Sequence, residues 1–126
     1  TAICVMQNHL HMILKLENIK EYPKIIYSIK FYFSYRLNKN NKISESKLKK
    51  GEKGIWQRRY WEHTIRNEKD LYTHIDYIHY NSMKHYQISP KNWKYSTFLK
   101  FVNKGYYDIN WCNFDDVNNI NDLNFE

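Results

Sequence analysis

Cysteine is nearly absent from this sequence. Its two copies, Cys4 and Cys112, stand far apart and neither belongs to a Cys-x-x-Cys pair. That excludes a disulfide framework and a zinc knuckle, so a reducing, cytoplasmic setting is expected. No apolar run reaches the roughly 18 residues that a membrane helix needs. No secretory pattern precedes Thr1, and there is no internal repeat. Basic residues are missing from one end: residues 1–107 hold all 20 Lys and Arg with 8 of the 13 acidic residues, a net of +12, whereas residues 108–126 carry five acids and no base. The basic body points to a polyanionic partner, most plausibly nucleic acid, and the acidic, Asn-rich end reads as a solvated extension. What is present is core material. The 126 residues are 42% hydrophobic and 17% aromatic, enough for one folded domain and too apolar for a disordered chain. Thr1 stands directly inside an apolar run, and we expect an N-terminal truncation that removes an earlier strand.

Residues 2–6 and 9–16 read as two short strands about a tight turn at Gln7-Asn8. Residues 21–37 read as a helix, because Tyr22, Ile25, Ile26, Ile29, Tyr32, Phe33 and Leu37 recur at three- and four-residue spacing and Pro23 falls in the first turn. Residues 38–54 lack a periodic pattern and read as a basic loop with Gly51 and Gly54. Residues 54–66 read as a strand or strand pair, being rich in aromatic and β-branched residues. Asn67 is a good N-cap for a following helix that buries Leu71, Ile75 and Ile78, with Glu68 and Asp70 in its first turn. A further short helix is expected around residues 96–103, bounded by Pro90 and Gly105. This order implies an α+β sheet domain.

Two clusters carry chemistry. In an extended segment His9 and His11 fall on one sheet face about 6–7 Å apart, with Leu10 buried on the other. Two imidazoles so placed can converge on one cation, or can equally be core histidines satisfied by hydrogen bonds. Farther on, Tyr77 and Asn81 are one helical turn apart and share a face. A phenol there can act as a nucleophile if a metal or base activates it, and the amide can be a ligand. The bland readings are a packing tyrosine and a helix C-cap. Tyr80 is the rival phenol, and His79 and His85 read as surface or DNA-facing residues. Trp56 is expected in the sheet core. Tyr60 and Trp61 with Arg58 and Arg59 suit stacking on splayed bases and phosphate contact. Lys47, Lys49, Lys50 and Lys53 suit non-specific phosphate contact.

The run Val5-Met-Gln-Asn-His-Leu-His11 resembles the HUH motif (His-hydrophobic-His) of single-tyrosine transposases. The stretches 54–67, His74-Ile-Asp-Tyr-Ile-His-Tyr-Asn81 and Trp93-Lys-Tyr-Ser-Thr-Phe98 are similar to the REP-associated tyrosine transposase branch. The likeness covers about residues 2–111. It implies a ferredoxin-like palm with an antiparallel sheet and packed helices, a transposase domain over residues 1–107 and an extension over 108–126. It also implies that His9, His11 and Asn81 bind Mg²⁺ or Mn²⁺. Tyr77 would then attack single-stranded DNA beside a hairpin, forming a 5′-phosphotyrosine link with release of a 3′-OH. A cytoplasmic, nucleoid-associated monomer or homodimer acting on repetitive palindromic DNA follows from the same likeness. The family's usual Met-Pro-Asn-His has Gln7 in place of proline, and its Asn-Pro-Val has become Asn81-Ser-Met83. A catalytically inactive remnant that binds DNA hairpins is the alternative. A zinc-stabilised structural module is a third reading, which metal removal would unfold.

Overall fold

The computed structural model describes residues 1–37, 55–57 and 59–112. The chain divides into two compact units, Leu16–His63 and a second formed by Thr1–Lys15 with Thr64–Glu126.

In the unit that contains the termini, β1 (Ala2–Val5) and β2 (Leu10–Ile13) form an antiparallel hairpin with Ala2 opposite Ile13 and Cys4 opposite His11. The Met6 amide donates to the His9 carbonyl at 2.8 Å and closes the turn over Gln7-Asn8. Both strands are shorter than expected, since the ladder ends with the Ala2–Ile13 pair. Directly opposed residues in such a ladder share a face. His11 and Ile13 therefore lie on the face of Ala2 and Cys4, both buried, while Val5 on the other face is exposed. Leu10 pairs with Val5 on that outer face and is only half-buried, a correction to its expected burial.

The second edge of β1 is also used. The Val5 amide donates to Tyr95 O at 2.8 Å and the Thr97 amide to Ile3 O at 2.9 Å, with a bridge between Cys4 and Ser96. The residues expected to begin a short helix at 96 thus bind the sheet edge first, and the helix α3 runs from Phe98 to Asn103. Between them and the hairpin runs α2 (Glu68–Tyr86), which starts as expected: Asn67 Oδ1 accepts from the Asp70 amide at 2.9 Å. It ends at Gln87, whose φ of 55° lies in the left-handed region, so the stretch after Asn81 stays helical for more than a turn. Asn81 is consequently no C-cap. Its serine neighbour leaves the helix uninterrupted where a proline would have broken the hydrogen-bond pattern. Ala2, Cys4 and Met6 of the hairpin pack with Ile75 and Ile78 of α2, Phe98 and Tyr107. Burying a side chain such as Phe98 contributes about 2–3 kcal/mol.

His79 joins this core, 1% exposed, and is not the DNA-facing residue expected. Its position on α2 turns it toward α3, where Phe101 meets its ring at 4.9 Å. Tyr107 donates its hydroxyl proton to Asp76 at 2.7 Å, so its oxygen accepts from His79 Nδ1 at 3.2 Å, and Thr97 hydroxyl donates to Nε2 at 2.9 Å. A neutral imidazole satisfies every partner. Burial lowers its pKa from 6.5 to about 4. Below pH 6.5 the unfolded chain binds a proton here that the folded chain refuses, so stability falls as pH drops from 6.5 toward 4. The expected loss is about 3 kcal/mol. Asp76, raised by burial against the hydrogen bonds from Tyr107 and Tyr106, acts in the opposite sense. Urea unfolding at pH 7 and 4.5 of the wild type and of His79→Gln isolates the effect: the variant's stability depends less steeply on pH, and equal slopes would refute it.

In the unit Leu16–His63, Asn18 Oδ1 accepts from the Lys20 amide at 3.0 Å and begins a short 3₁₀ turn (Ile19–Glu21) that leads into α1 (Tyr22–Leu37). The predicted stripe is only partly covered, with Ile25, Ile26 and Ile29 half-buried and Tyr32 and Phe33 exposed. The expected strand over 54–66 is absent among the described residues of that stretch. Its side chains instead bind α1. Trp56 Nε1 donates to Lys30 O at 3.2 Å and its ring meets Phe33 at 5.2 Å, while Lys30 Nζ donates to Gln57 O at 2.9 Å. Tyr22 donates to Glu62 and meets the Tyr60 ring edge-on. Trp56 is therefore a helix-packing residue, not part of a sheet core. Aromatic and β-branched content marks a surface that packs, and a helix serves as well as a neighbouring strand.

Candidate active site

The hairpin and α2 bring the two sequence clusters together. His11 sits on the inner face of β2 and His9 just before that strand, their ring centroids 5.1 Å apart and nearly perpendicular. His9 Nδ1 lies 2.6 Å from Asn8 Oδ1. That oxygen accepts, so Nδ1 carries the proton and the lone pair falls on Nε2. The Nε2 atoms of both histidines are shielded from solvent.

From the facing helix, the Tyr77 ring meets His11 edge-on at 5.6 Å and is 2% exposed. One turn on, Asn81 is wholly buried. Its Nδ2 donates to Tyr77 O at 2.8 Å, which fixes the amide, while Oδ1 has no hydrogen-bond partner among the described residues. A buried acceptor left without a donor costs about 1–3 kcal/mol. Such an atom calls for a partner, and a cation is one.

The geometry thus joins His9, His11 and Tyr77, with Asn81 buried one turn farther along the same helix. Tyr80 is also buried, and burial pushes its hydroxyl above the ordinary range. Cys4 lies on the same sheet face, and burial raises its thiol to about 11. Two further side chains stand here: His85, which reads from the sequence as a surface residue, and Lys84, which the sequence reading missed. His85 is exposed and meets the His9 ring at 5.0 Å, and Lys84 Nζ donates to the Tyr77 hydroxyl oxygen at 3.1 Å. Their signal was the extension of the Tyr77–Asn81 spacing by one further turn, legible only if the helix continues past Asn81. Of the expected DNA contacts, Arg59 is exposed in the unit Leu16–His63; Lys47, Lys49, Lys50, Lys53 and Arg58 lie outside the described residues, as does the acidic stretch from 113 on.

Comparison with known proteins identifies the family. The family model for IS200-like transposases matches residues 1–81. A Haemophilus influenzae protein assigned as a REP-associated tyrosine transposase is 42% identical over 113 residues, covering 87% of this chain and 64% of that protein. The REP-associated tyrosine transposase of Escherichia coli K12 is 48% identical over 63 residues, 49% of this chain and 38% of its own length. A solved structure of a REP-associated tyrosine transposase bound to a REP hairpin superposes with a TM-score of 0.64 at 32% identity, covering 89% of this chain and 61% of that one. The chain thus spans less than two thirds of the length of these relatives. The two-stranded antiparallel sheet with its helices is α+β in the manner of that structure, and the span matched by the family model, residues 1–81, contains His9, His11, Tyr77 and Asn81. By the family match this chain belongs to the IS200-like transposases, and it is similar to their REP-associated tyrosine transposase branch.

Proposed function

We propose that the chain cleaves and rejoins single-stranded DNA beside hairpins through a covalent 5′-phosphotyrosine link at Tyr77, with Mg²⁺ or Mn²⁺ held by His9, His11 and Asn81. The observation that carries this reading is the meeting of His11 with Tyr77 and, one turn along the same helix, a buried amide oxygen with no donor among the described residues. The donor set fits a divalent cation: two imidazoles, one with its lone pair on Nε2, and a neutral carbonyl-type oxygen. When bound, the cation would polarise the scissile phosphate and offset its growing negative charge. The protein's own residues do the rest. Tyr77 Oη forms the new bond to phosphorus as the bond from phosphorus to the 3′-oxygen breaks. The phenol's proton is balanced by the one taken up at the departing 3′-OH. Asn81 ties its amide to the Tyr77 carbonyl and so couples the ligand to the nucleophile's turn of helix.

Residues 1–107 form the transposase domain in this reading and residues 108–126 an acidic extension. The hairpin in the solved relative supports repetitive palindromic DNA as the substrate, and the basic body supplies phosphate contacts from Arg58, Arg59 and the lysines at 47, 49, 50 and 53. The protein works as a monomer or homodimer at the nucleoid, in the cytoplasm.

The test is incubation with a labelled single-stranded hairpin oligonucleotide and Mn²⁺ or Mg²⁺, followed by a denaturing gel. A DNA-linked protein band is expected, lost with EDTA, whose peptide map places the nucleotide on Tyr77. Salt-sensitive hairpin binding with no adduct in either metal would overturn the reading and leave a DNA-binding remnant.

A further inference from the structure

We infer that Lys84 is a further catalytic residue, a cation held against the Tyr77 oxygen to orient it and to stabilise its negative charge as it attacks. The inference rests on the nucleophilic role of Tyr77 proposed above. Tyr77, Asn81 and Lys84 stand at positions i, i+4 and i+7 of an unbroken helix, hence on one side of it. The Lys84 ammonium donates to Tyr77 Oη at 3.1 Å and lies 5.1 Å from the centre of its ring. Both contacts tie the cation to one phenol. From β2, His11 meets the same phenol edge-on at 5.6 Å, with His9 beyond it.

The environment makes the contact consequential. Tyr77 is buried, whereas Lys84 is exposed, so the ammonium joins the hydroxyl to the solvent side from which DNA must arrive. An oxygen that loses its proton in a nearly water-free site needs a fixed donor, and an ammonium supplies a full charge with it. Lys84 keeps its own proton throughout. The phenolic proton leaves to solvent as the O–P bond forms, and the departing 3′-oxygen takes one up.

The experiment is a single-turnover measurement of adduct formation on a labelled single-stranded hairpin oligonucleotide with Mn²⁺, beside equilibrium binding of the same DNA. Lys84→Met keeps the stem and removes the charge. It is expected to slow the adduct by about 10²-fold while hairpin affinity and melting temperature stay near wild type. Lys84→Arg restores most of the rate. In Lys84→Cys, aminoethylation rebuilds the cation and recovers activity, whereas carbamidomethylation does not; Cys4 and Cys112 are buried and spared. An adduct that needs Tyr77 but forms at full rate in Lys84→Met overturns the inference alone. Weaker hairpin binding with an unchanged rate at saturating DNA overturns it too, making Lys84 a phosphate contact. No adduct with the wild type overturns the functional reading and this inference together.

Discussion

Tyr77→Phe is expected to lower DNA cleavage by more than about 10³-fold and to remove the covalent adduct altogether, with little change in fold. The substitution deletes one oxygen, the one that would bond to phosphorus. It keeps the ring that fills the space between α2 and β2, 2% exposed and edge-on to His11. The structural cost is the hydrogen bond from Lys84, worth about 1 kcal/mol. Denaturing gels for the adduct, paired with thermal melts, separate the two effects. An adduct at wild-type yield in Tyr77→Phe would move the nucleophile elsewhere, and Tyr80 would be the first residue to examine.

Asn81→Leu is expected to move stability and metal affinity in opposite directions. Leucine is nearly isosteric and removes a buried oxygen that has no donor among the described residues. Without metal, the variant gains about 1 kcal/mol, because the bond lost from Nδ2 goes to a helix carbonyl that has other partners. That gain raises the melting temperature by about 4 °C. Affinity for Mn²⁺, measured by titration calorimetry, falls by about 10²-fold with the loss of one of three ligands. If Oδ1 serves no cation, the stability gain appears alone and the affinity does not move. A protein that keeps a costly buried atom does so for what that atom binds.

Local pattern was a good guide wherever the chain meets its own neighbours. The hairpin at Gln7-Asn8, the Asn67 cap and the apolar spacing of α1 are decided by turn chemistry, capping and periodicity, which act within a few residues. It misled where the partner is distant. Residues 54–66 have the composition of a strand, yet among those described the side chains pack on α1, since composition says that a surface packs without saying on what. His79 reads as a surface or DNA-facing residue because no cysteine cluster accompanies it, yet α3 and Tyr107 cover it from more than 18 residues away. The end of α2 was similarly hidden. Asn81-Ser-Met83 has no proline to stop it, but only the packed structure carries the helix through to Gln87.

The site divides along the same line. By itself the sequence determined the ingredients: a His-Leu-His pair at strand spacing, a Tyr and an Asn one helical turn apart, a basic body and the order in which they occur. Those follow from periodicities of two and about three and a half residues, which any reader of the chain can count. The tertiary structure decided which of them meet. It set His11 against Tyr77, left Asn81 Oδ1 buried without a donor among the described residues, and brought Lys84 to the phenol oxygen. The reason is physical. Burial and desolvation depend on what packs across the gap between α2 and the hairpin, and that gap joins residues nearly 70 positions apart along the chain.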